Sequence, residues 1–497
     1  MFYKNLKKHK KTKQKNLVFD IFANGLSNGK DDLLQKANQC KMFYNFSLSN
    51  GALQSGMGFK DFEAIASFDD LKTGHTFDIA SKVDQICGIW LDRWFSEELD
   101  RYVYQILMLD SANKLWSVPL VDEYDGYVWT ASDKMTAKPL FSCAYRIDNK
   151  DAILFFTKNG MLHMNTSADG FYESVPPIIS CVVHYDKLFA ITNTNRNTLI
   201  YKTNLNLTQW TEEENEVVEF LDDRGSFTKL VAFDDYVYLF RENGITKISI
   251  YTAKGNFAFT HLYTSPSKIY ENSICVCGEK VLFVTRDGLY SFNGNSVAKV
   301  TEAFDQILQN CDHANCCCEC LNGKYYLATN CTFDDGKQVG CEQADYINNL
   351  LLEIELNDFS YNILRGVDVR SLLAVDNEFM SKICACFYNQ NSQHLAELVC
   401  SGQMFESSTE KVWQSVQSDL ACQGKRKKIK QIVLTTVSDC QIEVVSDEET
   451  KVFDVCGSEN EQSIFACVHG AVFSFAFKTN DANCKICKPM VVYDVVE

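Results

Sequence analysis

The stretch Val281-Leu-Phe-Val-Thr-Arg-Asp-Gly288-Leu-Tyr-Ser-Phe-Asn-Gly294 reads as strand, turn, strand. Apolar and β-branched residues run up to Arg286-Asp287-Gly288, and a second short run ends at the aromatic Phe292. Such runs around an Asp-Gly pair mark a hairpin, because Gly takes the positive φ angles that a tight turn needs.

The unit recurs on both sides. Upstream it reads Tyr104 to Trp116, Ile153 to Met164, Lys187 to Tyr201 and Tyr236 to Ile248. Downstream it reads Lys324 to Thr329, whose partner Leu350 to Glu355 lies beyond a long loop, and a degenerate copy is read from His394 to Phe405. The clear copies start at 104, 153, 187, 236, 281 and 324, with spacings of 49, 34, 49, 45 and 43 residues. In each copy an Asn-Gly or Asp-Gly type turn is expected to supply the positive φ. A period in the forties built from hairpins is the size of a propeller blade. The alternative, a pair of β-sandwiches, does not call for regular spacing over so long a span. The expected fold is therefore all-β: a β-propeller of six or seven blades over residues 81–424.

Three segments fall outside this repeat. Residues 1–16 read as a basic flexible arm, carrying Lys4, Lys7, Lys8, Lys10, Lys11, Lys13 and Lys15 and no acid. Residues 17–80 mix turns and short strands and read as an opening segment that docks on the propeller. Beyond the charged junction Lys425 to Lys430, six short strand patterns give a separate small C-terminal β-sandwich over 428–497.

Composition narrows the function classes. The chain has 497 residues, 46% hydrophobic and 23% charged, which is globular rather than disordered. No apolar window is long enough for a membrane helix, and no apolar run follows the basic N-terminus as in a secretory signal. Net charge is −17, and beyond residue 16 it is −24, which disfavours a surface that grips nucleic acid. The 22 Cys are irregularly spaced, and Cys181, Cys275, Cys277, Cys384, Cys386 and Cys467 sit in apolar runs. Reduced thiols that pack as small hydrophobes are expected.

The sequence names no catalytic, cofactor-binding or metal-binding residue. Phosphate loops, the Gly-x-Ser-x-Gly elbow and His-Glu-x-x-His are absent from it. The dense cluster Cys311, Cys316, Cys317, Cys318 and Cys320, with His313, Cys331 and Cys341, lacks paired zinc spacing, and consecutive strand residues point to opposite faces. Cys484-Lys-Ile-Cys487 is a single Cys-x-x-Cys without a partner pair. Ser167-Ala-Asp169-Gly fails the spacing of a sialidase Asp-box. No cofactor and no enzymatic activity are expected.

The segment Ser273 to Thr301, with its Asp-Gly hairpin and Tyr290-Ser-Phe-Asn-Gly294, resembles one common in phage tail proteins. Asp186 to Trp210 and Asn45-Phe-Ser-Leu-Ser-Asn-Gly51 are similar to two further segments of the same family, although Lys202-Thr203 stands where a Ser-Asp pair is usual. The family is the propeller-type tail hub, or packaged-DNA stabilisation protein, of short-tailed bacteriophages, with the related tail nozzle. The resemblance implies a structural virion protein made in the bacterial cytoplasm. It would form a ring, commonly of six copies, below the portal and adaptor. Such a ring retains packaged double-stranded DNA and conducts it during ejection without specific binding and without a membrane partner. The competing expectations are a carbohydrate- or surface-binding propeller and a glycosidase-like propeller enzyme.

Overall fold

A computed structural model describes residues 14–18, 40–49, 52–65, 74–76, 83, 85–97, 100–120, 129–147, 150–165, 168–211, 215–251, 256–300, 302, 305–333, 346–389, 392–405 and 407–496. These residues are almost entirely β, with one α-helical turn at Asp305–Gln309 and a 3-10 turn at Glu271–Ser273. The chain forms two compact units. The first comprises residues 1–59, 360–365 and 399–497, and the second comprises 60–359 and 366–398.

The second unit is a succession of small antiparallel sheets made from consecutive strands. Sheet I holds Ile86–Ser96, Arg101–Asp110, Leu115–Pro119 and Trp129–Ser132. Sheet II holds Phe141–Ile147, Lys150–Thr157, Gly160–Asn165 and Ala168–Tyr172. Sheet III holds Ile178–His184, Lys187–Thr192, Thr198–Lys202 and Glu216–Glu219, and sheet IV holds Phe227–Phe233, Tyr236–Arg241, Gly244–Tyr251 and Asn256–Thr264. Sheet V holds Cys275–Cys277, Lys280–Thr285, Gly288–Phe292 and Val297–Lys299. Sheet VI begins Cys311–Leu321, Lys324–Cys331 and Leu350–Glu355. Sheet VII contains Val369–Asp376, Ser381–Asn389 and Ser392–Val399.

All six clear hairpins foreseen from the sequence are the second and third strands of sheets I to VI. Their turns use several devices rather than one. In sheets II and V the strand ends in Thr157 or Thr285, whose hydroxyl accepts the N–H of Asn159 or Asp287 at 3.1 Å. The following Gly160 and Gly288 then take φ of 140° and 137°. A Cβ on Gly160 would collide with the Tyr172 carbonyl oxygen, so that position also has no room for a side chain. Gly244 does not adopt a positive φ, which corrects the expectation of one mechanism for every copy. Asn322-Gly323, with φ of 52° and 74°, makes its tight turn between the first two strands of sheet VI instead.

The seventh copy is displaced from its expected place. Its hairpin is Ser381–Asn389 with Ser392–Val399, not His394 to Phe405. No Gly marks this turn, and Cys384 and Cys386 stand where aliphatic residues stand in the other copies, so the pattern is weak in sequence. Lys60 and Asp61 run beside the last strand of this sheet. Phe62 N–H donates to Leu395 O at 2.8 Å, and His394 Nδ1 lies 2.7 Å from Asp61. One hydrophobic cluster then joins sheet VII to sheet I, combining Leu373, Val375, Cys384, Cys386 and Leu395 with Ile86, Ile89, Ile106, Met108 and Phe62. Further clusters join sheets I and II, II and III, III and IV, and IV and V. Each fully buried large apolar side chain contributes on the order of 2 kcal/mol.

The first unit contains two antiparallel sheets. One orders Phe46–Ser49, Ala52–Ser55, Lys485–Val496, Arg426–Thr436 and Ser458–Gly470, with Gln14–Val18 also paired to Lys485–Val496. The other orders Cys40–Tyr44, Lys411–Ser415, Phe473–Thr479, Cys440–Ser446 and Thr450–Val455. This corrects the expected boundaries at four points. The arm does not extend to residue 16, since Gln14 to Asn16 lie in a strand; residues 1–13 are outside the described residues. Residues 40–55 build this unit rather than dock on the repeat. Residues 399–424 belong here and not to the 81–424 array, and the C-terminal unit is not a 428–497 module. The six short strands foreseen beyond Lys430 are all present, but they need the N-terminal strands to complete both sheets.

Asn45 ties the pieces of this unit together. It is fully buried with φ of 61°. Its N–H donates to Ile363 O at 2.7 Å, its amide donates to Glu410 O at 2.8 Å, and its Oδ1 accepts the Arg365 N–H at 2.7 Å. Asn tolerates the left-handed region better than other chiral residues, and its short amide reaches backbone on both sides.

Candidate functional site

Many thiols and charged residues of the second unit lie on the first strands of its sheets. These edge strands pack against their neighbours from one sheet to the next, Cys275–Cys277 against Cys311–Leu321 and Val369–Asp376 against Ile86–Ser96 among them. They carry Cys87, Asp92, Cys143, Cys181, Lys229, Cys275, Cys277, Cys316, Cys317, Cys318, Glu319, Cys320 and Arg370.

Strand alternation sorts the cluster around Cys318. Cys318 and Cys320 face sheet V, while Cys317 lies near Cys386 of sheet VII. The strands carrying Cys275 and Cys277 and Cys318 and Cys320 pack together, and the Cys275 and Cys277 thiols donate to the carbonyls of Val276 at 3.8 Å and Cys275 at 3.7 Å. Neighbouring thiols and burial raise Cys275, Cys277 and Cys318 well above an ordinary thiol. The Cys277 thiol beside Cys320 holds its pKa below the ordinary value. The neighbouring thiols Cys143 and Cys331, together with burial, push Cys181 and Cys311 well above an ordinary thiol, and the Cys311 thiol donates to Ile307 O at 3.1 Å. Burial pushes Glu319 up to about 7, against the opposing pull of Lys229. Burial likewise pushes Asp92 up to about 6, although Gln105 Nε2 donates to it at 2.7 Å.

Among the described residues, no group of three or more His, Cys, Asp or Glu is arranged to hold a metal ion. Cys341 lies outside the described residues. Within the Cys-x-x-Cys at the C-terminal end, Cys484 is buried and Cys487 is part-exposed. The expectation that Cys packs inside is corrected at Cys467, which is exposed, and softened at Cys181 and Cys275, which are part-exposed. Asp169 of the rejected Asp-box accepts from Ser132 Oγ at 2.6 Å and from Lys134 Nζ at 2.8 Å, a structural tie.

A polar cavity of about 160 Å³ is lined by Arg196, Glu242, Lys268, Tyr270, Glu271 and His313 among others. Its charges are matched: Arg196 meets Glu271 at 3.4 Å and Lys268 meets Glu242 at 3.2 Å. Burial acts to raise Glu242, but the Ser226 N–H and the Lys268 ammonium hold it below the ordinary carboxylate range. His313 is buried, which lowers its pKa, with Nε2 against Leu308 O and Nδ1 against Thr329 Oγ1. Glu242 is therefore not a carboxylic acid held protonated, and both ring nitrogens of His313 are engaged.

No family model matches the chain, and no curated protein matches it. Solved structures are similar in part. The extracellular domain of the hybrid two-component system BT4673 from B. thetaiotaomicron is 14% identical over 78% of this chain and 47% of its own, with a TM-score of 0.39. Kluyveromyces lactis Hsv2 is 9% identical over 52% of this chain and 81% of its own, with a TM-score of 0.29. The chain thus spans about half the length of the first of these.

Sequence reasoning missed that the strands carrying Cys275 and Cys277 and Cys318 and Cys320 pack together. The available signal was a Cys-x-Cys at 275 and 277 that recurs one repeat later at 318 and 320. The resemblance segment around Lys202 also gains a physical account. Lys202 is buried, donating to Asn206 O at 2.6 Å and Gln209 O at 2.5 Å, with its ammonium 4.2 Å from the Trp210 ring centroid. The lysine folds the loop onto itself.

Proposed function

We propose that the second unit is a seven-bladed β-propeller, that the first is a β-sandwich, and that the chain is a structural subunit of a bacteriophage tail. The observation that carries the propeller reading is the shared core of sheets VII and I, together with Lys60 and Asp61 completing sheet VII. Sheets made from consecutive strands, each packed on the next and with the last packed on the first, leave few unprotected edges. A rigid body of this kind suits a load-bearing assembly protein. The matched charges of the polar cavity favour a non-catalytic role over a glycosidase.

The tail assignment rests on the sequence resemblance and on the acidic balance. A conduit must not hold its cargo. DNA carries one negative charge per ~1.7 Å of axis, so an acidic wall repels it and a basic wall would brake it. The chain would act as a ring, six copies by resemblance, at the hub or nozzle below the portal and adaptor. There it would retain the packaged genome and let it pass on infection. It would reside in the virion tail after synthesis in the host cytoplasm.

Electron microscopy of purified virions tests this reading. The expected result is an axial ring containing this chain between the adaptor and the distal tail. A chain absent from virions, or a purified protein that hydrolyses glycans, would overturn it.

A further inference from the structure

We propose that the free edge of the strand Ser458–Gly470 is a docking surface for residues 2–13 of a neighbouring copy of this chain, so that copies join head to tail. Ser458–Gly470 is the last strand of its sheet and, among the described residues, is hydrogen-bonded as a strand only to Arg426–Thr436. Such an edge leaves backbone N–H and C=O groups without a ladder partner, which invites a further strand. One end of this edge is guarded. Lys451 Nζ donates to Cys467 O at 2.7 Å, and the His469 N–H donates to Glu449 Oε1 at 2.8 Å. Among the described residues, no side chain from another strand guards the backbone of residues 459–465 in this way, and Phe465 is 77% exposed.

The chemistry of the open half selects the occupant. Glu459 and Glu461 are exposed and form no ion pair among the described residues. Residues 2–13 carry Lys4, Lys7, Lys8, Lys10, Lys11 and Lys13 with no acid, together with Phe2, Tyr3 and Leu6. Opposite charges across a strand pair add to the main-chain hydrogen bonds, and the apolar side chains cover Phe465. Another copy's Ser458–Gly470 would bring the same carboxylates and no Lys or Arg. Geometry places the donor on a different copy. Gln14 pairs with Asp494, Asp494 with Lys428, and Lys428 with His469. Residues 1–13 therefore leave from the sheet margin opposite to Ser458–Gly470, three strand spacings or about 14 Å away. Glu461 lies a further ~26 Å along the strand from His469, so the straight path from Gln14 is about 30 Å. The backbone from Gln14 to Lys8 spans at most about 21 Å, which leaves Lys8, Lys10, Lys11 and Lys13 short of Glu461 in their own copy. A donor at one margin and an acceptor at the other margin of one sheet make a heterologous contact, which closes into a ring or runs on as a filament. This contact concerns only how copies join and stands apart from the phage-tail assignment.

The full-length chain would be compared by analytical ultracentrifugation with a variant lacking residues 2–13 and with an edge variant carrying Glu459→Lys and Glu461→Lys. A thermal melt would confirm that each is folded. The full-length chain is expected to associate, with an apparent Kd weakened about tenfold by high salt. Both variants should sediment as monomers. Reversing the arm with Lys7→Glu, Lys8→Glu, Lys10→Glu and Lys11→Glu should also abolish association, and combining this arm with the edge variant in one chain should restore it. Carbodiimide cross-linking of an equal mixture of light- and heavy-nitrogen protein locates the contact. The expected products join a lysine of residues 4–13 to Glu459 or Glu461, with one light and one heavy half. The proposal is overturned if the full-length chain is monomeric, or if association survives both the deletion and the edge variant. It is equally overturned if these cross-links never combine a light with a heavy half.

Discussion

The two units of this chain solve the same problem, burying β-sheet faces, from opposite kinds of sequence. In the second unit almost every sheet is drawn from one short run of chain, and each strand pairs with the next in order. In the first unit, Gln14–Val18 pairs with Lys485–Val496, and Cys40–Tyr44 pairs with Lys411–Ser415. The local arrangement is set by turn chemistry. The distant one is set by complementary faces and by a few buried polar groups such as Asn45. Loop-closure entropy makes the second kind slower to form and more dependent on every part being present.

Cutting the chain should break this comparison most sharply. A fragment of residues 399–497 alone is expected to show no cooperative unfolding by circular dichroism, because it lacks strands of both sheets. A fragment of residues 60–398 is expected to keep a cooperative melt. A folded 399–497 fragment would mean that the N-terminal strands are dispensable.

Single substitutions sharpen it. Phe283 is fully buried between sheets IV and V, with its ring 5.8 Å from that of Phe240. Phe283→Ala should cost about 4 kcal/mol in denaturant unfolding, from lost burial and the cavity left behind. Asn45→Ala should cost roughly 3 kcal/mol, because it strands two buried backbone groups and forces a positive φ on Ala. Its effect should fall on the first unit, so hydrogen exchange should accelerate in residues 411–415 and 360–365 but not in sheets III to V.

Glu319 gives a smaller effect with a pH signature. Its carboxyl is raised from 4.5 to about 7, so the folded state prefers it protonated. Below pH 4.5 it carries no penalty. As pH rises from 4.5 through about 7 the penalty builds and then levels. Glu319→Gln should therefore be more stable than the parent by about 2 kcal/mol at pH 8 and closely similar at pH 4.5, after discounting for partial solvation. Equal melting temperatures of the two proteins at pH 8 would refute the assignment. The smallest effect is expected for Lys134→Ala. Its ion pair with Asp169 is half-exposed at 48% and 27%, and the loss should stay under about 0.5 kcal/mol.

By itself the sequence determined the all-β class, the six hairpins from 104 to 355 and the six strands beyond Lys430, because period-two apolar runs and tight turns are local properties of adjacent residues. It also exposed the absence of catalytic motifs. Only the tertiary structure decided what lies between residues far apart. It moved 399–424 out of the repeat and recruited 40–55 to the C-terminal strands. It completed sheet VII with Lys60 and Asp61, and it brought Cys275 and Cys277 against Cys318 and Cys320. Strand pairing across a long loop leaves no trace in either strand alone, since each needs only an apolar face and free backbone groups. Which partner it finds is settled by shape and burial across the whole chain.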